Sequence, residues 1–198
     1  MLRYLHTPLV VVLLSMVAAC AAPRQAAPTP APGPEASPTP IDRWSELLQH
    51  TPHAFSTPLP PPEPSPIDGV YTKTVIKDEP TVHCRRCPDY APEGGLWKLS
   101  LDDGIFRIYH AETGWRSLAS FTVEGSALNL FNDPNCFDLV GRYAWALEEG
   151  QLVLTVIDDP CAIALRAMNL TQLPWKSCQP PNQEAAISGH WPVPEGCT

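Results

Sequence analysis

An antiparallel up-and-down β-barrel of about eight strands is the fold this sequence predicts, and three observations predict it. Apolar and polar residues alternate with period two in one segment after another from Gly69 onward. Turn dipeptides, Asp103-Gly104, Glu124-Gly125 and Glu149-Gly150, fall between those segments. The prolines that would interrupt a sheet are concentrated elsewhere: 14 of the 25 lie between Pro23 and Pro66.

The strands read in order. Gly69 to Ile76 is rich in β-branched and aromatic residues and forms the first. Trp97, Leu99 and Leu101 alternate with Lys98 and Ser100 in the second. Ile105 to His110 follows the Asp-Gly turn, and Trp115 to Val123 alternates through Ser117, Ala119 and Phe121. Leu128 and Leu130 mark a fifth strand, and Tyr143, Trp145 and Leu147 a sixth. Leu152, Leu154 and Val156 mark the seventh; Ile163, Leu165 and Ala167 are read as the eighth. Each segment has one apolar face, and tight sequential connections suit a meander closing on itself better than a two-sheet sandwich, which would need long crossovers.

Ahead of the barrel, Thr39-Pro40-Ile41-Asp42 reads as a helix start, with Thr39 as cap and Pro40 at the first helical position. Ile41, Trp44, Leu47 and Leu48 share one face of that short helix, which is expected to dock on the barrel. The chain therefore divides into a leader at 1–19, a tether at 20–40, a short helix with a Pro-rich linker at 41–66, and a barrel with a C-terminal tail at 67–198.

With Gly69-Val70-Tyr71 opening the first strand and Arg166 in the segment read as the last, the domain resembles the lipocalin and wider calycin barrels. That family has Gly-x-Trp in the first strand and an arginine in the last that packs across the ring and closes the barrel base. The resemblance implies that Tyr71 and Arg166 make this contact. Tyr stands in place of Trp here, and the Thr-Asp-Tyr loop motif is missing.

The first twenty residues carry a second resemblance. Arg3 precedes an apolar run from Leu9 to Val17, too short for a permanent membrane span but suited to a signal-peptide core. It ends in Val17-Ala18-Ala19-Cys20, which resembles the bacterial lipobox. The resemblance implies diacylglycerol on the Cys20 thiol, cleavage after Ala19 and acylation of the new amino terminus. Acyl chains contribute roughly 0.8 kcal/mol per buried methylene, so several of them make a lasting anchor. The membrane is thus an expected partner, on the extracytoplasmic side of the cell envelope. From Ala21 to Pro40 the composition is mainly Ala, Pro, Thr and Ser, an extended spacer with nothing to pack.

Once Cys20 is assigned to lipid, an even six cysteines remain, which in an exported chain reads as three disulfides. Cys136 follows the fifth strand and Cys161 the seventh, so a meander brings both loops to one end. Their flanks echo each other as Asp133-Pro134-Asn135-Cys136 and Asp159-Pro160-Cys161, and a 136–161 bridge is preferred. Cys178 and Cys197 bracket a proline-rich tail that their pairing would tie down. Cys84 and Cys87 are left for each other, although a crossed pairing with the tail stays open.

His83-Cys84-Arg85-Arg86-Cys87 also fits a redox pair in spacing, with arginines able to stabilise a thiolate. Pro88 and Pro92 follow, where such motifs open a helix, and no βαβ pattern surrounds it, so a structural disulfide is preferred. The two Asp-Pro turns supply Asn132, Asp133, Asp158 and Asp159, hard oxygen ligands that could hold calcium. Those residue types are equally what turns use, and the turn reading is preferred.

No phosphate loop, catalytic dyad or cofactor motif is found, so no enzyme and no cofactor is expected. The residues from Ser65 onward carry 17 acidic against 10 basic side chains, which argues against nucleic acid as a partner. Trp97, Trp115, Phe121, Tyr143 and Trp145 could either line a cavity or fill an eight-stranded barrel. The expected function is binding of a small, apolar ligand by a monomeric, anchored domain. The alternatives are an interaction module with a filled barrel and, less favoured, a thiol oxidoreductase using Cys84 and Cys87.

Overall fold

Eight antiparallel strands close into a barrel in sequence order, each paired with the next and the eighth with the first. The computed structural model describes residues 43–76 and 93–197. The strands are β1 (Gly69–Val75), β2 (Gly95–Asp102), β3 (Ile105–His110), β4 (Arg116–Glu124), β5 (Ala127–Phe131), β6 (Gly141–Glu148), β7 (Gln151–Asp158) and β8 (Trp175–Ser177). Alternation does what the sequence requires: Tyr71 and Val75, Trp97, Leu99 and Leu101, and Leu128 and Leu130 all point into one core.

The two ends of the barrel differ. At one end, Asp103 and Gly104 have φ of 47° and 82°, and Glu149 and Gly150 have 49° and 78°. Two successive positive φ values give the two-residue hairpin whose twist matches the strands it joins. This turn end is plugged by Ile67, which is fully buried. The Tyr71 hydroxyl donates to the Ile67 carbonyl at 2.8 Å. At the opposite, loop end lie the β3–β4, β5–β6 and post-β7 connections.

The segment before the barrel is a strap laid on its outer wall. Helix α1 (Arg43–Leu48) buries Trp44 and Leu47, and Trp44 packs at a tilt against Tyr109 with centroids 6.2 Å apart. Arg107 then donates twice to the His50 carbonyl, at 3.2 and 3.0 Å. The Phe55 amide donates to Asn132 Oδ1 at 3.1 Å. Gly104 lies so close to Pro60 that a side chain there would sit 3.2 Å from the proline ring. The run from Pro58 to Pro66, expected as a separating linker, therefore follows the barrel surface.

The eighth strand is not where the alternation placed it. Cys161–Ala164 forms a 3-10 turn and Leu165–Thr171 a helix, α2, so Arg166 lies in a helix and not in the last strand. The residues α2 buries, Arg166, Ala167, Asn169 and Leu170, have helical spacing. The true β8 has three residues, too short to show a period, and it joins Gln151 and Leu152 of β7 to Tyr71 and Thr72 of β1. Because β8 is short, the ring is completed there only at the turn end. α2 packs against β7 at the loop end, with Leu170 in the core.

Two disulfides fasten this arrangement. Cys136–Cys161 ties the β5–β6 loop to the 3-10 turn, and Cys178–Cys197 spans the tail. The tail contains α3 (Gln183–Ser188) and returns to the outer face of β1, where Thr74 bonds Glu195 at 3.2 Å. Cys84 and Cys87, like Cys20, lie outside the described residues.

Candidate functional site

A buried ion network forms the loop end. Arg166 donates through Nε and Nη2 to the two oxygens of Asp159, both at 2.8 Å, and through Nη1 to Asp133 at 3.1 Å. All three side chains are buried. Asp159 also accepts from the Tyr143 hydroxyl and, at 3.0 Å, from the Cys161 amide. Asp133 accepts from Ser117 Oγ at 2.8 Å and from Asn135. β4, β5, β6, β7 and α2 are thus joined through one guanidinium. Gly141 is required by this crowding, since a Cβ there would lie 2.9 Å from both Arg166 Nη2 and Asp159 Oδ2.

The electrostatics follow from the partners. Burial alone would raise the Asp159 carboxyl, but hydrogen bonds from Arg166, Tyr143 and the Cys161 amide outweigh it and hold the group below its usual range. Burial would likewise lower Arg166, and Asp159 more than offsets this. Tyr143 is pushed up by burial and by its bond to the carboxylate, so it remains a neutral donor.

The network corrects one expectation and explains another. Arg166 does not close the barrel against Tyr71: its described partners are Asp133 and Asp159 at the loop end, while Tyr71 bonds Ile67 at the turn end. The Asp-Pro turns do converge, but Asp133 and Asp159 turn inward to share Arg166, Asp158 is exposed and Asn132 Oδ1 accepts the strap amide. Among the described residues, no group of three or more His, Cys, Asp or Glu is placed to hold a metal ion.

Beneath α2 the barrel contains a charge that the expected site left out. Lys73 occupies the inward position of β1 between Tyr71 and Val75 and is buried. Its ammonium donates to the Asn169 carbonyl, one of the last-turn carbonyls of α2 that have no partner within the helix. It also sits 4.1 Å from the centroid of the Trp175 ring. Burial pushes its pKa down to about 7. Its position two residues from both Tyr71 and Val75, on the inward face of β1, was the signal that could have found it.

Large side chains occupy the core among the described residues, and a concave space lies at the mouth. Trp97, Phe121, Tyr143 and Trp175 are each buried to within a few per cent and pack the barrel, with Trp145 partly buried at its edge. Above them, at the loop end, lies a concave cavity of about 380 Å³. Trp97, Trp115 and Leu165 give it apolar walls, and Glu93, Asn135 and Asn169 add polar ones; Asp133 and Arg166 border it. Trp115 meets Trp97 edge-on, 5.8 Å between centroids at 65°. Asn169 is more than nine-tenths buried, and its Oδ1 is without a hydrogen-bond partner. His110 is fixed by Thr113 and by the Gly94 carbonyl, both at 2.8 Å. Since that carbonyl only accepts, Nε2 carries a proton.

No family model, curated protein or solved structure matches the chain. The fold is an eight-stranded antiparallel barrel compatible with the lipocalin-like class. Two disulfides point to an oxidising, extracytoplasmic environment. Among the described residues no helix is long and apolar enough to cross a membrane.

Proposed function

We propose that this chain is a lipoprotein of the bacterial cell envelope, anchored through Cys20, whose lipocalin-like domain binds a small, largely apolar ligand and catalyses nothing. The observation that carries the ligand reading is the mouth cavity, which joins apolar walls to a few converging polar groups in a volume suited to a small molecule. The lipobox-like Val17-Ala18-Ala19-Cys20 and the Pro-rich tether support the anchor. The disulfides agree with an exported site of action.

An interaction module is the second reading, favoured by one specific observation. Phe55 and Phe137 are exposed with ring centroids 6.1 Å apart, an apolar spot of the kind that meets partners. Titration with the neutral fluorophore N-phenyl-1-naphthylamine separates the two. Saturable enhancement with the wild type, weakened at least tenfold by the cavity-filling Leu165→Trp, is the expected result. No enhancement, or enhancement untouched by Leu165→Trp in a variant with unchanged circular dichroism, would leave the interaction module in its place.

A further inference from the structure

The charges around the mouth cavity restrict the ligand further, provided that the cavity is a ligand site as proposed above. Arg166 is the only lysine or arginine among the described residues that line it, and all its bonding nitrogens are engaged by Asp133 and Asp159. Two carboxylates share that one guanidinium, which leaves a negative charge uncompensated. Glu93 adds another at the same cavity. The rest of the lining includes His110, Thr113, Leu165 and the Trp97–Trp115 corner, whose rings supply apolar surface. Asn169 Oδ1 is a buried acceptor with no donor, and leaving such an atom unpaired in a filled site is costly.

A neutral hydrocarbon would leave that oxygen unpaired and the negative potential unused, and an anion would be repelled. We infer that the mouth cavity takes a protonated amine on an apolar body, with the body against Trp97 and Trp115 and the ammonium directed at Asn169, Glu93 and the Asp133 side of the ion network. Among the described residues, the ammonium of Lys73 stands behind the cavity wall, on the carbonyl side of Asn169. Above the value near 7 to which burial lowers it, that charge is largely gone.

The test is calorimetric titration of the wild-type protein at pH 8.0 with three probes of one shape: 2-phenylethylammonium, 2-phenylethanol and phenylacetate. The expected order is ammonium, alcohol, carboxylate, with the ammonium binding about tenfold tighter than the alcohol, the size of one charge-assisted hydrogen bond to Asn169 or Glu93. Glu93→Gln, at an exposed position, is expected to reduce that ratio to about threefold or less while the alcohol binds as before, whereas Trp115→Leu is expected to weaken ammonium and alcohol alike. Equal binding of ammonium and alcohol overturns the inference and leaves the cavity reading intact. Failure of all three probes also overturns it, and the naphthylamine titration then decides separately whether the cavity binds anything. A preference for phenylacetate overturns it outright.

Discussion

Replacing Arg166 by methionine is expected to cost about 3–5 kcal/mol of unfolding free energy, the cost of breaking a buried ion pair from one side. The substitution keeps the apolar stem of the side chain and its packing. What it removes is the only described cation in contact with Asp133 and Asp159, whose side chains are 4% and 0% exposed. Two carboxylates are then buried near each other with hydroxyl and amide donors but no opposing charge.

The loss has a pH signature. In the wild type, Asp159 is held below its ordinary range, so its contribution to stability is fully present above the unfolded value near 4 and is lost as pH falls through the folded value. In Arg166→Met the same carboxyl is burdened by burial with only the Tyr143 and Cys161 donors to offset it, and it takes up a proton more readily. The gap between the two proteins, measured by urea unfolding, is therefore widest at pH 7 and narrows toward pH 4. Adding Asp159→Asn to Arg166→Met should recover part of the loss by removing one stranded charge. A gap that is small, or constant with pH, would mean that the network contributes little beyond packing.

Lys73→Met is expected to act in the opposite direction. The folded value of Lys73, about 7, lies below the unfolded value near 10.4. Below pH 7 both states are protonated and the folded protein bears the full penalty of a buried ammonium. Between about 7 and 10.4 the unfolded chain holds a proton that the folded chain lacks, so wild-type stability rises with pH, by at most about 1.4 kcal/mol per unit. The methionine variant lacks this term. It is expected to be more stable than wild type at pH 6, by roughly 1–3 kcal/mol after the lost contacts to the Asn169 carbonyl and Trp175 are counted. The difference should shrink or vanish by pH 9. Parallel stability curves, with the variant below wild type throughout, would show that the ammonium stabilises the barrel at every pH.

The seven long strands were legible because each has enough residues for period two to show, and because Asp103-Gly104 and Glu149-Gly150 specify their own turns. β8 was not legible, since Trp175–Ser177 is three residues long. The stretch that imitated it, Ile163 to Ala167, alternates only until Asn169 and Leu170 are included, when the buried set becomes helical. Tertiary contact decided between the two periods: the barrel needed a plug at its loop end, and α2 supplies one. The strap is hidden from the sequence for a similar reason. Proline-rich composition shows that a segment cannot form a core of its own, but not that Pro60 will rest on Gly104.

The site was partly legible. The convergence of the Cys136 and Cys161 loops followed from counting strands, and with it the meeting of Asp133 and Asp159. That Arg166 would join them could not be seen while it was assigned to a strand. The cavity depends on how loops and α2 stand over the core, and on one amide oxygen at Asn169 left without a donor. Such a feature is a property of packing, and no spacing in the chain encodes it.

The most direct measurement of the central claim is native mass spectrometry of the mature protein extracted from its own membrane, for wild type and Leu165→Trp. The account predicts a chain beginning at Cys20 with the added mass of its acyl chains, and a non-covalent small molecule that survives in wild type and is absent from Leu165→Trp. A chain without lipid at Cys20 would contradict the anchor. A bare wild-type domain that also takes up none of the offered probes, or a small molecule retained equally by both proteins, would contradict the cavity as its binding site.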